Sequence, residues 1–157
     1  MAAEILDRPN SIPSIVLAED SEDDRALAFR ALRRSDIAVA VQVVTDGQRA
    51  LSLLLDHEAI VPNLIVLDVK MPRLSGVEVL GALRNDPRYD QVPIVMMTSS
   101  DEPADIEVSR RLGADAYVRK PVEFEEYLSL VSKVTEFWLG NPRGATDAPY
   151  SLLETNP

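Results

Sequence analysis

Five short apolar runs, each followed by a longer segment with helical periodicity, limit what this chain can fold into. The runs are Ser14–Ala18 (SIVLA), Ala40–Val44 (AVQVV), Leu64–Leu67 (LIVL), 94–97 (IVMM) and 116–118 (AYV). Short apolar runs bounded by polar residues read as strands buried in a parallel sheet. The segments between them read as helices. The first opens at Ser21, with Asp24 three residues on in a capping-box pattern, and carries Leu27, Ala28, Ala31 and Leu32 on one face. The second follows Asp46 through Ala50, Leu51, Leu54 and Leu55, and the third follows Ser75 and Gly76 with Val77, Leu80 and Leu83. A fourth covers Pro103–Leu112 and stops at Gly113, a natural left-handed terminator; the fifth covers 123–139. Strand and helix alternating in this way predict an α/β fold with right-handed crossovers and helices on both faces of the sheet.

The chain of 157 residues, 46% hydrophobic and 27% charged, suits one domain with ragged ends. We expect a flexible leader at 1–11, a domain at 12–139 and a flexible tail at 140–157, the last rich in Gly, Pro and small polar residues. There are no cysteines, which removes disulfides, thiolate metal sites and a cysteine nucleophile and fits a reducing cytoplasm. No apolar stretch is long enough to span a membrane. With a formal charge of −10 and no basic cluster longer than Arg33-Arg34 or Arg110-Arg111, direct nucleic-acid binding is not expected.

The chemistry is written at the strand ends. Glu19 and Asp20 follow the first run, Asp68 follows the third, and Lys120 follows the fifth, after Arg119. Ligand sites of α/β sheets lie at the carboxyl ends of the strands, so these charges are placed to converge. Three carboxylates repel one another and raise one another's pKa unless a cation intervenes. Together with an ammonium group they suit a divalent cation and a phosphoryl group.

The segments VLAEDSEDD, LIVLDVKMPRLSG, IVMMTSS and ADAYVRKP resemble, in order and spacing, the receiver domain of two-component response regulators over residues 12–138. The DPRYDQVP connection and the ending FEEYLSLVSKVTEFWLG are similar to stand-alone receivers that partner bacterial phytochrome kinases. The resemblance implies a doubly wound (βα)5 fold with a five-stranded parallel sheet in the flavodoxin-like order 2-1-3-4-5. It implies that Asp68 attacks the phosphorus of a phosphohistidine on a sensor histidine kinase and becomes an aspartyl phosphate. A carboxylate needs no base for this. It also implies Mg2+ held by Asp20 and Asp68, by Glu19 largely through water, and by the Lys70 backbone carbonyl. Thr98 would then donate to the phosphoryl group, and Lys120 would be its counter-charge, aimed inward by a cis Lys120–Pro121 bond. Tyr117 would be a switch that turns inward when Thr98 moves. Lys70 and Ser100, two residues beyond Asp68 and Thr98, occupy positions where family members differ.

The implied function is a phosphoacceptor switch rather than an enzyme, passing its signal to a phosphotransfer protein or another protein target. A degenerate receiver acting as a phosphorylation-independent adaptor is the alternative. An aspartate-nucleophile phosphohydrolase would need a second aspartate where Lys70 stands. A flavin- or nucleotide-binding domain would need a loop that attracts phosphate, and EDSEDD repels it. His57 sits beside Asp56 and Glu58 and reads as solvated; Asp23 and Asp24 read as charges favourable to a helix N-terminus. In the fifth helix, Phe124, Tyr127, Leu128, Val131, Val134 and Trp138 form one stripe, which Leu130 and Phe137 widen to about half the circumference. That width leads us to expect a homodimer or partner contact through this helix.

Overall fold

A computed structural model describes residues 12–34, 37–99 and 102–139; the expected leader, the expected tail and Ser100 lie outside the described residues. Five strands, β1 (Ser14–Ala18), β2 (Ala40–Val44), β3 (Leu64–Leu67), β4 (Ile94–Thr98) and β5 (Ala116–Arg119), form one parallel sheet in the order β2-β1-β3-β4-β5. The register runs Ile15 to Val41 and Leu64, Val66 to Val95, and Met96 to Tyr117. Five α-helices connect and cover it: α1 (Glu22–Arg34), α2 (Gly47–Leu54), α3 (Gly76–Arg84), α4 (Pro103–Leu112) and α5 (Phe124–Leu139). The sequence expectation holds for both the architecture and the strand order.

Alternation along each strand splits the core in two. Val16, Ala18, Ile65, Leu67, Ile94 and Met96 pack with Ala50 and Leu54 of α2 and Val79, Leu80 and Leu83 of α3. Ile15, Leu17, Val66, Val95 and Met97 pack with Ala28 and Ala31 of α1 and with α5. The helix starts follow the capping chemistry. The Asp46 side chain accepts the Arg49 N–H at 2.7 Å, and Ser75 and Glu78 form a full capping box. Gly113 closes α4 at φ 97°.

The apolar stripe of the fifth helix is used inside the chain. Leu130 is buried in the core, and Phe137 is half-buried with its ring edge-on to Trp138 at 4.8 Å between centroids. Phe124 lies beneath the guanidinium groups of Arg30 and Arg34 of α1, 4.5 and 5.7 Å from its ring centre. The wide apolar face serves two neighbours inside the chain, the sheet and α1, so its width is not surplus surface.

The connection after α3 contains a single 3₁₀ turn at Pro87–Tyr89 that the sequence pattern does not announce. It buries Tyr89, whose hydroxyl donates to the Leu54 carbonyl at 2.5 Å. Arg84 then ties this end of the fold together. Its guanidinium donates to the carbonyls of Tyr89 (2.5 Å), Val92 (3.0 Å) and Gly113 (3.0 Å) and to the Asp115 carboxylate (2.8 Å). We expect Arg84→Met to destabilise the fold by about 3 kcal/mol, because it strands several acceptors at once. Urea denaturation measures it, and Arg84→Lys should recover little, since an ammonium cannot reproduce the planar fork.

Candidate phosphoryl and metal site

The carboxyl ends of β1, β3 and β5 bring the anchors together. β1 delivers Glu19, whose N–H donates to the Val44 carbonyl at 3.0 Å, and then Asp20. β3 delivers Asp68, whose N–H donates to the Ala18 carbonyl at 3.0 Å, so the two acidic loops are pinned to each other. Arg25 of α1 donates to the carbonyls of Glu19 (3.0 Å) and Asp20 (2.9 Å), which fixes the loop whose carboxylates face the site. Gly76 is needed close by, because a Cβ there would stand 2.1 Å from the Asp68 carbonyl oxygen.

Carboxylate oxygens of Glu19, Asp20 and Asp68 lie within 4.8 Å of one another. Glu19 and Asp68 are buried while Asp20 is exposed, an arrangement that leaves one open side for a cation with part of its water shell. The oxygen-only donor set suits a hard divalent ion. The Lys120 ammonium donates to Glu19, to Asp68 at 3.1 Å and to Asp24 at 2.9 Å. Burial works against the lysine's charge, but hydrogen bonds to Glu19 and Asp24 and the charge of Asp68 outweigh it and raise its pKa further. Burial, and next the hydrogen bond with Asp68, push the Glu19 carboxyl up to about 7, with Lys120 pulling the other way. Beneath them, burial lifts the Tyr127 phenol to about 12.

A raised carboxyl has consequences with a definite sign. In the metal-free protein the native state holds a Glu19 proton that the unfolded chain has released, so between about 4.5 and 7 its stability falls as pH rises. A cation binding here must displace that proton. Divalent-ion affinity should therefore weaken by about tenfold for each pH unit well below the Glu19 value and level off above it. Calorimetric titration with Mg2+ on either side of neutrality reads this directly.

The remaining expected residues fall as follows. Thr98 is buried at the end of β4, and its carbonyl accepts the Lys120 N–H at 2.8 Å. The Lys70 N–H donates to Asp68 Oδ1 at 3.2 Å, while its side chain is exposed and sits 3.8 Å from Glu102. The Lys70 side chain thus pairs with Glu102 at the surface. His57 is exposed, in line with the sequence reading. Tyr117 is already buried in the core, so inward rotation from an outer position does not start from this conformation. No described peptide bond is cis; Lys120 is turned inward by its three carboxylate partners rather than by a cis bond to Pro121. Sequence reasoning missed Asp24, which it assigned to the helix dipole. The only signal was its place three residues after the Ser21 cap, where its N–H meets Ser21 Oγ at 3.3 Å.

Residues 15–132 match the family model of the response regulator receiver domain, and the chain belongs to that family. It is 30% identical to the response regulator Rcp1 of Synechocystis sp. over 137 residues, 85% of this chain and 93% of that protein. Among solved structures, it is similar to the phosphorylated cyanobacterial phytochrome response regulator RcpA, with a TM-score of 0.78 and 30% identity over 83% of this chain and 96% of the other. The Mn(2+)-bound form of Rcp1 gives a TM-score of 0.76 and 30% identity over 81% and 94%. A single receiver domain accounts for most of this chain, and the chain covers nearly the whole length of each of these response regulators.

Proposed function

We propose that this protein is a single-domain response regulator that takes a phosphoryl group on Asp68 from a sensor histidine kinase in a Mg2+-dependent reaction. The observation that supports it best is the three-carboxylate cluster with Lys120 hydrogen-bonded to its members Glu19 and Asp68. An Asp68 oxygen attacks phosphorus, the bond from phosphorus to the donor imidazole nitrogen breaks, and the imidazole leaves with that electron pair. Mg2+, when bound, offsets the charge of the carboxylates and of the incoming phosphoryl oxygens. Asp20, Asp68, Glu19 and the Lys70 carbonyl would hold it. Lys120 and the Thr98 hydroxyl donate to the phosphoryl oxygens, and Tyr117 changes its packing with Thr98. The likeness to a phosphorylated phytochrome regulator and to an Mn(2+)-bound one supports both the modification and the ion.

A bacterial phytochrome is the kinase this likeness favours. The signal then passes by a shift in a pre-existing equilibrium of the α4–β5–α5 face to a phosphotransfer protein or protein target. Val122, between β5 and α5, is an exposed apolar residue of that face, and we assign partner or homodimer contacts there rather than to Leu130. No helix among the described residues is long and apolar enough to cross a membrane. The proposal places the protein in the cytoplasm, with domain limits at 12 and 139 and no nucleic-acid partner.

The test is intact-mass analysis after incubation with acetyl phosphate. We expect one phosphoryl adduct with Mg2+ and none when the ion is chelated. A folded protein that takes up no phosphoryl group from acetyl phosphate or from a histidine kinase would favour the adaptor reading.

A further inference from the structure

The Lys120 ammonium has three hydrogens and, in this structure, three carboxylate acceptors: Glu19, Asp24 and Asp68. It is therefore saturated. To donate to a phosphoryl oxygen it must let one partner go. The side chains differ sharply in access to water: Glu19 is 4% exposed, Asp68 10% and Asp24 33%. A released carboxylate that already touches water regains its hydration at the smallest cost, which singles out Asp24. Modification spends the carboxylate charge of Asp68, and Glu19 belongs to the ion cluster, so Asp24 is the full carboxylate outside that cluster left to compete with the phosphoryl oxygens for the lysine. Asp24 is also anchored independently of Lys120, through its N–H to Ser21 Oγ, so the first turn of α1 stays formed when its side chain swings out.

We infer that Asp24 is a positioning residue that competes with the phosphoryl group for Lys120. In the resting protein it holds the ammonium in place over the carboxylates. On modification Lys120 exchanges the Asp24 carboxylate for a phosphoryl oxygen, and Asp24 turns to solvent on α1. Asp24 thus sets how readily the site accepts the group and how firmly it keeps it. This inference rests on the phosphoacceptor reading, but part of its test does not.

The direct experiment measures binding of beryllium trifluoride, a phosphoryl mimic, in excess Mg2+. Asp24→Asn keeps the shape and removes the competing charge, and should tighten binding about tenfold, the worth of one charge-assisted hydrogen bond. Asp23→Asn, an exposed residue of the same turn, controls for charge acting at a distance and should change little. In a Lys120→Met background the Asp24→Asn gain should vanish, because there is no ammonium left to compete for. An equal gain from Asp23→Asn, no gain from Asp24→Asn, or a gain that survives in Lys120→Met would overturn the inference. A second arm needs no phosphoryl chemistry. In metal-free protein, Asp24→Asn should move the side-chain nitrogen resonance of Lys120 and speed exchange of its ammonium hydrogens. An unmoved resonance overturns the competition even if the mimic binds. A resonance that moves in Asp24→Asn, together with wild-type protein that never binds the mimic, would instead overturn the phosphoacceptor reading, and the competition with it.

Discussion

Asp68→Asn should take up no phosphoryl group from acetyl phosphate under conditions that label the wild type. An amide nitrogen or oxygen is no substitute for an ionised carboxylate as nucleophile, so the loss should be complete rather than partial. The same change should weaken Mg2+ binding by more than the roughly tenfold that loss of an outer-shell partner costs, because Asp68 is one of the clustered oxygens themselves. Stability should move the other way. Asp68 raises the Glu19 pKa through a hydrogen bond and through its charge, so removing that charge relieves a repulsion in the metal-free fold. A variant that loses phosphoryl uptake while matching or exceeding the thermal stability of the wild type separates chemistry from folding. Residual labelling of Asp68→Asn would mean that another residue accepts the group.

Lys120→Met should have the largest effect on the fold. It leaves Glu19 and Asp68, both nearly buried, facing each other and Asp24 with no counter-charge. Removing one partner of a buried charge cluster costs about 3 kcal/mol or more, because the remaining ions keep their desolvation and lose their attraction. Proton uptake by Glu19 blunts the loss at acid pH, so the penalty should grow as pH rises past about 7. Mg2+ should restore much of it, since the ion supplies the missing positive charge. Phosphoryl uptake should fall by about a hundredfold even in saturating Mg2+, the usual cost of deleting a preorganised donor to a reacting oxyanion. Thermal melts across pH, with and without Mg2+, check the first part; adduct formation over time checks the second. A metal-free Lys120→Met protein as stable as the wild type at neutral pH would show that the carboxylates do not depend on the lysine.

Much of this was legible in the residues because the relevant signals are local. A charge placed at the end of a buried run sits at a strand end, and three such ends define the site without knowledge of side-chain contacts. Capping residues did the same for helix starts: Asp46 and Ser75 sit where the sequence puts them. What was not legible depends on which elements become neighbours. Asp24 lies in an acidic first turn, where a charge favourable to the helix dipole is the ordinary explanation. Only the packing of α1 beside α5 brings that turn to the loop that carries Lys120. Leu130 misled for a similar reason. A helical stripe shows how wide the apolar face is, but not that the sheet and α1 divide it between them. The 3₁₀ turn around Tyr89 is too short for periodicity to reveal, and it is fixed instead by the buried hydroxyl on the Leu54 carbonyl and by Arg84.

The most direct measurement locates the modification. Wild-type protein treated with acetyl phosphate and Mg2+ is reduced with borohydride, which converts an acyl phosphate to an alcohol and marks its carboxylate as homoserine. Peptide mapping should then find one homoserine, at Asp68, and none when Mg2+ is withheld. Homoserine at Asp20, Asp24 or Glu19-derived product in its place, or at Asp68 without Mg2+, would contradict the assignment of nucleophile and ion in this site.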